Sequence, residues 1–208
     1  MLTIRNYSKS YNGILVLSVD ELTLPQGVYW IKGENGSGKS TLFKSIAGIL
    51  PFDGQVSFKE LDSKKNAVPY RRLINYAEAE PLFPGFLTAK DLIRFIGKTK
   101  GASLDQQKTI TSVFGVDAFF EKPCETYSSG MMKKLSLVLS FLGSPQVIIL
   151  DEPFITLDEQ ARKVLISQIV TGVEQGITFL ISSHQTLNDF PLQVKRTYAI
   201  HNKTLIGD

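Results

Sequence analysis

With 208 residues, 43% of them apolar and 21% charged, the chain has the balance of an ordinary globular protein and the length for one large domain or a core carrying an inserted lobe. Its net charge of +3 is scattered without a basic block, which speaks against a nucleic-acid partner, and its one cysteine, Cys124, excludes an internal disulfide and reads as a packing residue in a reducing compartment. The opening MLTIRNYSKS has no apolar signal-peptide core, and no stretch reaches the roughly 18 apolar residues of a membrane span, so a soluble chain is expected and any membrane role falls to another chain.

Leu2-Thr3-Ile4, Leu15-Val16-Leu17 and Leu22-Thr23-Leu24 predict antiparallel strands, with a turn at Asn12-Gly13. Val28 to Ile31 reads as a strand running straight into a glycine-rich turn. From Lys39 to Leu50, Leu42, Ile46 and Leu50 recur at helical spacing, and Pro51 is the expected stop. Between about 78 and 143 the chain reads as mainly helical. Thr88 with Asp91 and Ser103 with Gln106 have the form of capping boxes, and Leu135, Val138, Leu139 and Leu142 form a stripe. Val147 to Leu150 is wholly apolar, as suits a parallel strand buried on both faces. A helix over 159–173 turns Leu165, Ile166, Ile169 and Val173 inward, and Ile177 to Ile181 is a second buried strand. The tail over 197–206, with a turn at Asn202-Lys203, reads as a hairpin. The class is α/β, with an antiparallel β region at the N-terminus and a helical insertion.

Residues Gly33, Glu34, Asn35, Gly36, Ser37, Gly38, Lys39 and Ser40 spell GxxxxGKS between a strand and a helix, the context a P-loop requires. Its glycines let backbone N–H groups converge on phosphate oxygens, helped by the helix dipole. Lys39 is expected to reach the β- and γ-phosphates, and the Ser40 hydroxyl to hold Mg²⁺. Thr41 completes the nucleotide-binding set. Asp151, at the end of the apolar strand, is the expected second metal ligand. Glu152 follows directly and is placed to polarise an attacking water. His184 ends a strand on the ligand-binding edge of an open α/β sheet, where it can donate to a γ-phosphate. His201 reads as a surface residue.

Together these residues resemble the nucleotide-binding domains of ATP-binding-cassette transporters, in order and over essentially the whole chain. The resemblance implies a P-loop NTPase core with an N-terminal antiparallel β subdomain and a helical subdomain inserted at about 78–143, in a single domain over 1–208. It makes GENGSGKS the Walker A segment, VIILDEP the Walker B segment with its catalytic glutamate, and His184 the switch histidine. Thr156-Leu157-Asp158 resembles the D-loop, and Tyr11 stands where the family stacks an aromatic on adenine. Ser128, Ser129 and Gly130 stand in the signature segment, which caps the ATP of the opposite subunit. The signature departs from the family in Ser129 for Gly and Met131 for Gln. The Gln expected after a strand is missing: counting puts Ala79 there, between Glu78 and Glu80, and that assignment stays open.

The implied activity is ATP hydrolysis, with ATP and Mg²⁺ as ligands. The implied partners are a second ATPase subunit, identical or paralogous, and an integral membrane permease, with the chain cytoplasmic at the inner face of the membrane. A soluble cassette ATPase of DNA repair or translation is the second reading, but this chain has no heptads, one cysteine and a single P-loop. A small-molecule P-loop kinase is a third, against which the Asp-Glu-Pro turn and His184 argue. A subunit that binds ATP yet hydrolyses it weakly follows from the two departures.

Overall fold

The computed structural model describes residues 1–183 and 192–207. Its described strands form one mixed, ten-stranded sheet. Strands β1 (Leu2–Tyr11) and β2 (Ile14–Leu24) pair antiparallel around Asn12 and Gly13. Both turn residues have positive φ, 51° and 78°, which matches the twist a two-residue hairpin needs. Strand β3 (Val28–Lys32) leads into helix α1 (Lys39–Ile46). The helix stops four residues before the Leu50 expected from apolar spacing. Gly48 takes the left-handed conformation at φ 72° and ends it, so Pro51 is not the breaker.

Residues 53–77 add elements the apolar pattern does not announce. Strand β4 (Asp53–Phe58) pairs with β1, β5 (Leu61–Asp62) follows, and α2 (Ala67–Leu73) leads into β6 (Ile74–Ala77). Three helices then come in succession: α3 (Ala89–Lys100), α4 (Leu104–Val113) and α5 (Ser129–Ser140). The box at Thr88 closes in both directions. At Ser103 only half of one forms: the hydroxyl accepts from Gln106 N–H at 3.1 Å, while the Gln106 amide donates to Gly143 O at 2.7 Å. The chain returns to the sheet through β7 (Val147–Leu150), α6 (Glu159–Glu174), β8 (Thr178–Ser182), β9 (Val194–His201) and β10 (Thr204–Gly207).

The strand order is β5-β4-β1-β2-β10-β9-β3-β8-β7-β6. The run from β9 through β3, β8 and β7 to β6 is parallel, while β1, β2, β4 and β5 are antiparallel. All four residues of β7 are 0% exposed, and they alternate between two cores. Ile148 and Leu150 pack with Leu135, Val138, Leu165, Ile169 and Cys124 on one face. Val147 and Ile149 pack with Leu42, Phe43 and Ile46 of α1 and with the antiparallel strands on the other. That two-sided burial is why the run carries no polar residue. Among the described residues, no helix is long and apolar enough to cross a membrane.

Candidate functional site

The site forms where the parallel strands end. Gly38 precedes α1 at φ 107°, a conformation a side chain would strain. A Cβ there would also lie 3.2 Å from Val16 Cγ1. No side chain caps α1, and its first residues, Lys39 to Thr41, line the adjoining cleft, where the leading N–H groups can serve an anion. That cleft, of about 370 Å³, is lined by residues 35–41, by Ala79 and Glu80, and by Asp151, Glu152 and Ile155. A neighbouring cleft of about 760 Å³ runs from Lys32, Gly33 and Glu34 to Ile14–Val16 and His201–Lys203.

Lys39 is 6% exposed. Its ammonium donates to Gly33 O at 2.7 Å and Glu34 O at 3.1 Å, and lies 4.0 Å from Glu152 Oε1. Burial lowers its pKa, against the opposing pull of Glu152 and Asp151. Asp151 is 1% exposed. Its Oδ1 accepts from Ser182 Oγ–H at 2.5 Å and its Oδ2 from the Tyr76 hydroxyl at 3.2 Å. Burial, with the Asp151 charge second, pushes the Tyr76 phenol far up, so it stays a donor. Ser182 Oγ also accepts the Glu152 N–H at 2.9 Å. That bond helps hold Glu152 at φ 44°, a strained value for a residue with a Cβ. One serine at the end of β8 thus orients both neighbouring acidic residues.

Other expected residues lie apart from this cleft. Ser128 to Gly130 form the first turn of α5 and its cap, with Ser128 Oγ accepting from Met131 N–H at 3.3 Å. They do not line the cleft at the P-loop. A Cβ on Gly130 would come within 3.0 Å of Thr156 O, so the residue's smallness serves a contact inside this chain. Asp158 caps α6 through Ala161 N–H at 2.7 Å and pairs with Lys134 of α5 at 2.7 Å. Tyr11 is 45% exposed, with the Lys9 ammonium 4.7 Å from its ring centroid, and lines neither cleft. His184 lies outside the described residues. In the segment with the missing Gln, Ala79 and Glu80 line the cleft, while the Glu78 carboxylate turns to Lys44 at 3.5 Å.

The donors present are oxygens: the Ser40 hydroxyl, in the cleft lining, and the anchored Asp151 carboxylate. That set suits a hard cation held partly by phosphates, as Mg²⁺ is. No group of three or more His, Cys, Asp or Glu among the described residues could hold a metal without such help. Sequence reading misses Ser182, Tyr76 and the buried Lys133, described below.

A P-loop between strand and helix, facing an Asp-Glu pair at the end of a parallel strand, defines a P-loop nucleotide-binding α/β protein. The family model described as ABC transporter matches residues 18–155, and the chain belongs to that family. It is one of the family's ATP-binding subunits and an ATPase. It is 30% identical over 186 residues to the lantibiotic transport ATP-binding protein SrtF of Streptococcus pyogenes, covering 88% of this chain and 80% of that one. The spermidine/putrescine import ATP-binding protein PotA of Spiroplasma citri is 31% identical over 191 residues, covering 88% of this chain and 54% of its own. Among solved structures, an ATP-binding subunit of an ABC transporter shares the fold with a TM-score of 0.89 at 24% identity, over 99% of this chain and 88% of that one. An ATP-binding cassette solved as a dimer in a post-hydrolysis state, bound to ADP and Pi, does so at 0.84 and 18%, over 99% and 96%.

Proposed function

We propose that the chain is the motor subunit of a transporter, acting as a head-to-tail pair with two ATPs between the copies and driving a separate membrane permease at the inner face of the cell membrane. The P-loop N–H groups and Lys39 hold the phosphates, and Lys39 leaves the Gly33 and Glu34 carbonyls to do so. Ser40 and Asp151 would hold Mg²⁺, which neutralises phosphate charge when bound. Glu152 takes a proton from the water that attacks the γ-phosphorus, ADP leaves, and His184 donates to the γ-phosphate oxygens. Tyr11, outside both clefts but paired with Ile14 at the rim of the neighbouring one, stacks on the adenine. Ser128, Ser129 and Gly130 serve the ATP of the other copy, which fits their absence from their own chain's cleft. Asp158 stands at the same junction.

One observation carries this reading: a glutamate 7% exposed, held at φ 44°, with its carboxylate 4.0 Å from the P-loop ammonium. A side chain kept in a strained conformation over a phosphate cleft is placed for chemistry rather than packing. Glu152→Gln keeps the shape and loses the base. ATP should still bind, turnover should fall about a hundredfold or more, and size-exclusion chromatography should show an ATP-dependent shift from monomer to dimer. Unchanged turnover would remove Glu152 from the mechanism.

A further inference from the structure

Lys133 is 1% exposed, the most deeply buried lysine among the described residues. It sits one helical turn beyond Ser129 on the same face of α5. Its ammonium donates to Glu78 O at 2.9 Å, Ala79 O at 2.5 Å and Asp151 O at 3.5 Å. Three donors thus meet three backbone carbonyls. A buried charge is costly, and an apolar side chain of similar volume commonly serves packing as well or better.

What the cation does is join three pieces. The carbonyls of Glu78 and Ala79 belong to the segment after β6, where Ala79 and Glu80 form one wall of the phosphate cleft. The Asp151 carbonyl belongs to the end of β7, the strand paired with β6. Asp151 N–H reaches back to Ala77 O at 3.0 Å, and Glu78 pairs with Lys44 on the P-loop helix at 3.5 Å. Burial lowers the Lys133 pKa to about 8, against the pull of Asp151, Glu152, Glu80 and Glu78.

We propose that Lys133 is a positioning residue for ATP hydrolysis: from the helix that begins at Ser129, it clasps the Glu78–Ala79 segment to the Asp151 strand end and so fixes where the Ala79–Glu80 lining of the phosphate cleft stands relative to Asp151 and Glu152. The proposal rests on the site reading given above. The P-loop holds the phosphates without help from Lys133, so the lysine governs turnover more than binding. In this segment, which lacks the Gln, the backbone held from behind places the cleft lining.

The test is Lys133→Met in the full chain, with melting temperature, Mg-ATP affinity and steady-state kinetics measured beside wild type and Glu152→Gln. The expected result is a folded variant with Kd and KM within about threefold of wild type and kcat lower by about tenfold or more. Wild-type kcat overturns the proposal, and so does a loss carried wholly in KM. Glu152→Gln separates the two failures: if it is inactive while Lys133→Met turns over normally, only the role of Lys133 falls. If Glu152→Gln is active, the site reading falls. Should Lys133→Met not fold, Lys133→Gln decides, since it removes the charge and the reach but keeps a polar end. A kcat loss at steady KM supports the role, and wild-type kcat overturns it.

Discussion

Lys100 shows how much a single ammonium is asked to do. It ends α3 and donates to the carbonyls of Arg71 and Ile74, the latter at 3.0 Å, which ties the helical stretch to the start of β6. Burial, with the nearby Arg71 charge second, lowers its pKa from 10.5 to about 8. Below pH 8 the folded chain holds this charge at a cost. Between about pH 8 and 10.5 the folded state binds fewer protons here than the unfolded state, so stability rises with pH across that window. Lys100→Met removes the contribution. The urea midpoint of wild type, taken relative to Lys100→Met, should climb from pH 7.5 to pH 10. A constant difference would mean that Lys100 is not depressed. The same electrostatics acts at Lys39, where burial lowers the pKa and Glu152 and Asp151 oppose it; phosphate is the partner that would relieve that burial best.

Among the elements, α3 has the best-defined start. Thr88 Oγ1 accepts from Asp91 N–H at 3.2 Å, and Asp91 Oδ2 accepts from Thr88 N–H at 3.0 Å. Thr88→Ala should cost about 1 kcal/mol, seen as a melting temperature roughly 2–4 °C lower with nucleotide affinity unchanged. A melt equal to wild type would show the box to be redundant. This helix start is legible in the sequence because both partners lie within one turn. The P-loop and the Asp151-Glu152 pair are legible for the same reason, each being a contiguous run. The stop of α1 is less so: apolar spacing continues to Leu50, yet Gly48 decides the backbone. Residues 53–73 are not legible at all, because Val56 and Phe58 are too brief an alternation and Pro69 lies inside the first turn of α2. Ser182, Tyr76 and Lys133 reach their partners across 31, 75 and 55 residues, and no local pattern marks such pairs.

On the molecule as a whole, the loop after β6 carries an uneven apolar cluster. Phe83 and Leu87 pack against the core. Leu82 and Phe86 stand out at 88% and 80% exposed. Under the transport reading this pair is the surface for the membrane subunit. Leu82→Ser with Phe86→Ser should keep ATPase turnover and lose co-purification with that subunit. Retained co-purification would move the docking surface elsewhere. Substituting Phe83 instead would confound the result, since it removes a packed side chain.

The strand order also governs how the molecule comes into being. Strands β10 and β9 sit in the middle of the sheet, between β2 and β3, although residues 194–207 follow every other described strand in the chain. Only Thr204 opposite Ser18 registers β10 against β2, while β9 runs along all of β3. On the ribosome, β2 and β3 each wait with an open edge until that hairpin is made. At about 5–20 residues per second, the 161 residues between Lys32 and Val194 take roughly 10–30 s to synthesise. By the end of that interval the nascent chain has its P-loop and its Asp151-Glu152 turn but two unjoined half-sheets, each able to pair with a stranger. The hairpin of β9 and β10 is therefore the keystone of assembly, the piece that joins the two halves of the sheet.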